Sequence, residues 1–354
     1  MGEKHSRGIT ESLHSLGFSS SRLKTGTPPR IKTSSIDFSK CSVSPGDKDP
    51  SPFSYFTSVF TSPNLPCYIT KTNAASHKII NKNMHLSPMF TGDIVGRGPR
   101  YCPSIEDKIY RFPKRDEHYL YLEPEWHNSN QVYLNGFSTS LPMSTQIKAL
   151  RVVPALKNLE LLRPGYAIEY DFFPPSQLKI TLESKALSGL FLAGQINGTS
   201  GYEEAAGQGL VAGINSAMFV LNKRPLLLSR EDSYLGVMLD DLTTKDTLEP
   251  YRMFTSRAEY RLLLRYSNAE RRLIKHSDKH NLLTKAELSL LQKKTDLTRA
   301  VVDATRTSLG PKALNRVLRK KGEPPVKQKK PIKVILKRPG ISIKDFKDTV
   351  LNGA

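Results

Sequence analysis

The chain has 354 residues, 38% hydrophobic and 24% charged, a balance that excludes a disordered polymer and allows two or three packed domains. Its formal net charge of +20 and pI near 9.8 argue for a polyanionic partner, nucleic acid ahead of an anionic membrane surface. No run approaches the ~20 apolar residues of a membrane span, "MGEKHSRGITESLHSLGF" lacks both the apolar core of a secretory signal and an acid-poor transit helix, and three cysteines with no C-x-x-C pair exclude a disulfide framework and a cysteine-rich zinc site.

In chain order, residues 1–20 read as the end of a helix and a connector. From Ser21 to about Leu162 the sequence is rich in Pro, Ser and aromatics. Short apolar runs such as "HYLYLEPE" and "NQVYLNGFS" predict strands joined by turns, and "TNAASHKIINKNM" predicts a helix capped by Thr72 or Asn73. Residues 163–222 contain a short apolar strand, Leu190–Ala193, then a Gly/Asn/Thr/Ser turn and a long helix. That helix carries Gly207, Gly209 and Gly213 in its interior, each costing about 1 kcal/mol relative to Ala. Ala205, Gly209, Gly213 and Ala217 lie four apart, so one face is nearly bare and can approach a sheet or a flat ligand closely.

Around Thr199–Tyr202 the helix start offers free N–H groups and the positive dipole end to an anion or a carbonyl-rich ring. A strand, a glycine turn and a helix of this kind hold nucleotide cofactors in α/β proteins; plain helix packing is the other reading, and no early strand leads into a G-x-G-x-x-G turn. From Ser229 onward the pattern is helical, including "SRAEYRLLLRYSNAERRLIKH" and "KAELSLLQKKTDLTRAVVDATRTSL". The basic, Pro-broken "RKKGEPPVKQKKPIKVILKRPG" reads as a linker or surface arm, and "ISIKDFKD" as the start of another helix.

Two further stretches carry chemistry. In "GRGPRYCPSIEDKIYRF" (Gly96–Phe112), Cys102 follows Arg100 and Tyr101, with Arg97, Lys108 and Arg111 nearby, and cations stabilise a thiolate. A small core cysteine is the alternative. Glu106 and Asp107 are either acid/base partners of that thiol or the first turn of a helix capped by Ser104. In "SRLKTGTPPRIK" and "EPYRMFTSRAEYRLLLRYSNAERRL", Lys24, Arg30, Arg252, Arg257, Arg261 and Arg265 alternate with Tyr251, Tyr260 and Tyr266. The arginines of the second stretch recur at roughly helical spacing. They suit phosphates and unstacked bases, or a solvated face paired with Glu259 and Glu270.

The segments "RLKTGTPPRI", "GPRYCPSIEDKIYRF", "RPGYAIEYDFF", "FLAGQINGTSGYEEAAGQGLVAG" and "YLGVMLDDLTTKDTLEPYRMFTSRAEYRLLLR" closely resemble the GidA/MnmG family, over about Leu23 to beyond Leu273. The resemblance implies α/β plus all-α architecture: a glutathione-reductase-like FAD/NAD-binding fold with an inserted mixed α/β domain and a C-terminal helical domain. On that template residues 1–20 are a remnant of the N-terminal FAD-binding part, 21–162 form the inserted NAD-binding-like domain, 163–228 return to the FAD domain, and 229–354 form a truncated, incomplete helical tRNA- or partner-binding domain.

It further implies FAD, reduced by NADH, and transfer of a one-carbon unit from methylenetetrahydrofolate to carbon 5 of the tRNA wobble uridine. The amine comes from glycine or ammonia, or from taurine in mitochondria. The expected partners are tRNA, an MnmE-type GTPase and a second copy of the chain. Gln195, Asn197, Gly198, Thr199 and Gly201 fall at flavin-contacting positions, Gly98, Arg100 and Tyr101 in the nicotinamide-nucleotide segment, and Cys102 at a catalytic cysteine; Lys24, Arg30, Arg252, Arg257 and Arg261 would meet RNA. The family's N-terminal strand with its G-x-G-x-x-G turn, and a second catalytic cysteine, have no counterpart, so a form truncated at both ends is expected, with a mitochondrial location or, as the alternative, a cytoplasmic one. The alternative is a non-catalytic RNA- or partner-binding fragment.

Overall fold

The computed structural model describes residues 8–62, 64–91, 98, 103–245 and 249–347. They form two compact units, one up to Arg261 and one from Leu262. The strands of the first unit are β1 (Ser21–Thr27), β2 (Arg30–Lys32), β3 (Ser42–Ser44), β4 (Cys67–Lys71), β5 (Tyr119–Pro124), β6 (Gln131–Asn135), β7 (Leu161–Arg163) and β8 (Tyr166–Phe172). Its helices are α1 (Ile9–Ser15), α2 (Ala74–Lys82), α3 (Pro88–Thr91), α4 (Ile105–Arg111), α5 (Met143–Arg151), α6 (Tyr202–Val220) and α7 (Tyr234–Thr244).

Six strands make one antiparallel sheet in the order β3-β4-β5-β6-β2-β7. Strict alternation puts Leu120 and Leu122 of β5, and Val132 and Leu134 of β6, on the buried face. There they meet Ile80 of α2, Ile105 and Ile109 of α4, and Leu150 of α5. The "HYLYLEPE" and "NQVYLNGFS" runs are thus strands as read. The α2 helix starts where the sequence placed it, with Asn73 Oδ1 accepting from the Ser76 N–H at 2.9 Å.

A two-stranded ribbon, β1 against β8, pairs Ser21 with Phe172 through Thr27 with Tyr166 and carries the chain into and out of this sheet. Beyond it lie the glycine turn and α6. Leu190–Ala193 is not a strand: the segment makes one bridge, Phe191 to Glu183, and its N–H and C=O groups otherwise go to local turns. The α6 helix is where the pattern predicted, but its orientation is reversed. Its buried side is Glu204, Gln208, Val211, Ala212, Asn215 and Met218. Gly209, Gly213 and Ala217 face outward, and a Cβ on Gly209 or Gly213 would meet nothing within 4 Å. Gly207 is the glycine with a close neighbour, since a Cβ there would sit 2.4 Å from Leu235 Cδ2 of α7.

Residues 249–268 depart furthest from expectation. The predicted helix is replaced by extended chain and two 3-10 turns, Thr255–Arg257 and Tyr266–Asn268. The cause is a buried anchor. Tyr251, 1% exposed, donates its hydroxyl to Asp241 of α7 at 3.0 Å, while Thr199 and Tyr251 form a parallel bridge and Tyr251 N donates to Gly198 O. A helix would break these bonds.

The second unit begins its regular structure with α8 (Ala269–Lys279) and α9 (Lys285–Ala304), the latter opened by a Thr284/Glu287 capping box. There follow β9 (Ser308–Leu309), α10 (Pro311–Lys320), β10 (Lys330–Pro331) and α11 (Ile332–Ile335). The basic stretch read as an arm is folded instead. Val326, Ile332 and Ile335 are buried with Leu314 and Leu318 of α10 and with Ile341 and Phe346. Ile343–Phe346 is a single 3-10 turn.

Candidate functional site

The turn between Ala193 and α6 is built on two glycines with left-handed backbone, Gly194 at φ 90° and Gly198 at φ 73°. A side chain on Gly198 would press on the Phe172 ring at 3.0 Å. Gln208 reaches back from α6 and locks this turn. Its Oε1 accepts from Gly194 N at 3.0 Å and Asn197 Nδ2 at 2.9 Å, and its Nε2 donates to Thr199 Oγ1 at 3.0 Å. Thr199 Oγ1 donates to Gly194 O, and Asn197 Nδ2 also donates to Leu192 O. Asn197 and Thr199 are therefore buried supports of the turn, and Gln208 is a support that sequence reading missed. Its place ten residues past Gly198, nearly two turns into α6, was the available signal.

Gln195 alone among the side chains at the expected flavin positions is exposed, and it stands beside Tyr170 of β8. Burial pushes the Tyr170 hydroxyl up, so it stays a neutral donor. The α6 N-terminus is not an open anion site as expected. Glu204 folds over it: Oε1 accepts from Met253 N at 2.8 Å and from Arg252 Nε at 3.2 Å, while Oε2, buried without a partner, fills the space where a Cβ of Gly201 would stand. A carboxylate there repels phosphate. The sequence "GQGLVA" (Gly207–Ala212) has glycine-turn spacing but lies within α6, where its N–H groups serve the helix. The turn thus fits the polar edge of a flavin ring through Gln195 and Tyr170. Among the described residues no strand–glycine turn–helix fits the pyrophosphate.

A second locus lies in a cleft of about 400 Å3 that brings Lys24 and Gly26 of β1 together with Gly98, Ser104, Asp107, Arg111 and Glu249. It unites two stretches, "RLKTG" and the Gly98–Asp107 segment, that the sequence treated separately. Arg100, Tyr101 and Cys102 lie outside the described residues. Cys41 and Cys67 are half-buried thiols pushed up by burial, the first also by Asp37 and the second by Glu123, so neither is an activated nucleophile.

Ser104 caps α4, its Oγ accepting from Asp107 N at 3.1 Å, which is the structural alternative for "SIEDK". Glu106 is not an acid/base group open to a substrate. It is fully buried, and its Oε1 accepts from Ser87 Oγ, Thr139 Oγ1 and Ser140 N at 3.2, 2.9 and 3.0 Å. Burial pushes its carboxyl up, against the pull of those donors.

Most of the arginines expected to meet RNA are spent inside the fold. Arg30 donates to Glu125 at 2.8 Å and to Thr27 Oγ1 at 2.7 Å, and lies 4.6 Å above the Tyr133 ring. Arg252 pairs with Glu204. Arg257 donates to Arg252 O, stacks 4.4 Å over Tyr251 and lies 3.8 Å from Asp241. Arg261 is exposed.

Asp241, 1% exposed, is the hub of this lattice, accepting from Arg230 at 2.9 Å, Lys245 at 2.5 Å and Tyr251. Burial alone would raise its carboxyl, but the Lys245, Arg230 and Tyr251 hydrogen bonds outweigh that and hold it below the usual range. The expected pairing partners are also taken: Glu259 by Arg230 and Glu270 by Lys294.

Residues 1–224 match the family model for glucose inhibited division protein A. The chain belongs to the GidA family. It is 49% identical over 341 residues to the tRNA uridine 5-carboxymethylaminomethyl modification enzyme MnmG of Chlorobaculum tepidum, covering 96% of this chain and 55% of that protein. The same-named protein of Flavobacterium psychrophilum is 51% identical over 348 residues, covering 97% and 56%. The form II crystal structure of Aquifex aeolicus GidA superposes with a TM-score of 0.82 at 40% identity, covering 98% of this chain and 55% of that one. The chain thus spans about half the length of the relatives it matches. The mixed α/β sheet unit is accordingly GidA-like in fold.

Proposed function

We propose that the chain serves flavin-dependent modification of tRNA at carbon 5 of the wobble uridine, as part of a GidA-type enzyme. The observation that carries this is the 49% identity to a tRNA uridine-modifying relative across 96% of the chain. FAD, when bound, supplies the electron-carrying ring. In this reading Gln195 and Tyr170 meet the ring's polar edge, Gly194 and Gly198 let the backbone come close, and Cys102 is the nucleophile. The cleft of Lys24, Gly98 and Arg111 takes the nicotinamide nucleotide or the RNA. NADH, methylenetetrahydrofolate, an MnmE-type GTPase partner, a homodimer and a mitochondrial location belong to the same proposal.

Two experiments test it. Tandem mass spectrometry of tRNA nucleosides from cells lacking the protein should lose the carbon-5 wobble modification; an unchanged nucleoside profile refutes the reading. The purified chain, incubated with excess FAD and desalted, should show flavin absorption. A second reading, an RNA- or partner-binding piece without catalysis, is favoured by the Glu204 carboxylate over the α6 N-terminus. It predicts a colourless protein that still binds tRNA.

A further inference from the structure

The first unit holds a buried, ionisable cluster that the proposed chemistry does not use. Thr72 follows β4, and His118, 7% exposed, precedes β5. Thr72 N donates to His118 O at 2.9 Å, which extends the β4–β5 ladder by one pair. Thr72 Oγ1 accepts from His118 N at 2.8 Å and lies 2.7 Å from Nε2 of the buried His77 of α2. The two imidazoles stand 5.3 Å apart with a tilt of 31°. One hydroxyl thus fastens the first turns of α2 to the start of β5.

The surroundings favour neutral rings. His118 Nε2 is buried with no hydrogen-bond partner, so an imidazolium there is a charge without an acceptor. The charged groups acting on His118 are both cations, Lys108 of α4 and Arg115 of the connector to β5. His77 meets the Arg115 backbone and the Asp116 carboxylate from that connector. Lys78 of α2 lines a cleft beside His77, Lys71 of β4 is paired with Glu117, and α5, packed on α2, keeps Lys148 and Arg151 exposed. Burial pushes both imidazoles below the ordinary 6.5, and for His118 the nearby His77, Lys108 and Arg115 push the same way.

There is room on both sides to answer a proton. His118 borders a cleft of about 430 Å3 with Lys108, Phe112, Arg115 and Tyr119, and His77 borders one of about 300 Å3 with Lys78, Arg115 and Asp116. A charged ring therefore has open space to turn into.

We propose that Thr72, His77 and His118 form an acid-operated latch, closed while both rings are neutral and released at the α2–β5 junction when His118 takes up a proton. The latch does not rest on the wobble-uridine reading and can fail separately from it, because amide exchange reads local opening and nucleoside analysis reads modification. Above about pH 6.5 the latch is complete. Below it the open form binds the proton first, so closure weakens by up to about tenfold per pH unit until the folded value is reached.

The test is hydrogen–deuterium exchange of the full chain between pH 7.5 and 5.5, read by mass spectrometry and corrected for the intrinsic exchange rate. Protection of peptides spanning 70–82 and 117–124 should fall at least about fivefold on acidification, while α6 keeps its protection. His118→Phe keeps a ring and cannot take the proton, so its protection should hold down to pH 5.5. His118→Gln, a second variant, should behave in the same way. Wild-type protection that does not change with pH overturns the proposal. So does an equal loss in α6, which would be global unfolding, or an acid loss that persists in either folded variant.

Discussion

Gln208 is the side chain on which the glycine turn depends, and Gln208→Ala is the sharpest way to show it. The substitution removes three hydrogen bonds, to Gly194 N, Asn197 Nδ2 and Thr199 Oγ1, at a residue with no solvent exposure. Each donor or acceptor stranded in such a place costs ~1–3 kcal/mol. Asn197 Nδ2 keeps Leu192 O and Thr199 Oγ1 keeps Gly194 O, so the full penalty falls on the Gly194 N–H and a fraction on the other two. The sum is about 3 kcal/mol. Urea titration followed by Trp126 fluorescence, the single tryptophan and a residue of the first unit, reads this as a lower midpoint with an unchanged slope. FAD loading, if the chain takes up flavin, should fall in parallel. A loss below about 1 kcal/mol would mean that the turn holds its left-handed glycines without help from α6, and would refute the account.

Three further outcomes follow from buried charge and from the glycines. Glu106→Gln keeps an oxygen for Ser87, Thr139 and Ser140 while removing a carboxyl whose folded value lies above its ordinary 4.5. Wild-type stability is therefore lost as pH rises from 4.5 through the folded value, and the variant should melt higher at pH 8 and equally near pH 4. A lower melting point at both pH values refutes this. Asp241→Asn should cost about 3 kcal/mol at neutral pH, since it leaves Arg230 and Lys245 facing a neutral group. Because the folded value lies below the ordinary 3.8, Asp241's contribution is complete above about pH 4 and lost as pH falls through the folded value, so the gap to wild type should narrow in acid thermal melts. Gly209→Ala, in open space, should stabilise α6 by up to about 1 kcal/mol, whereas Gly207→Val should destabilise by driving into Leu235. Equal effects in thermal melts would mean that both faces of α6 are packed alike.

What could be read from the sequence, and what could not, divides by the range of the interactions involved. The α2 cap at Asn73, the α4 cap at Ser104 and the α9 capping box are local: the cap and the N–H it accepts from are three residues apart, and the sequence displays both. The alternation in β5 and β6 is equally local, each residue's face following from its neighbour's. The glycine turn was legible as a turn, yet which face of α6 it would bury was not. The small residues suggested the packed side, but Gln208 and Asn215 go inward because Gly194, Thr199 and Leu226 offer them partners.

The same logic explains the helix that did not form at 249–268. Arg252, Arg257 and Arg261 have near-helical spacing, and nothing within those twenty residues opposes it. The opposition comes from Asp241, Glu204 and Gly198, ten or more residues away, which take Tyr251 and Met253 into extended positions and Arg257 into a 3-10 turn. A pattern of arginines beside tyrosines states which groups are available and not which charges they will answer. Here Arg252 and Arg257 answer carboxylates of their own chain, Glu204 and Asp241, while Arg261 stays exposed. Unpaired charge is a property of the folded surface, legible only once the fold has set each base beside its acid.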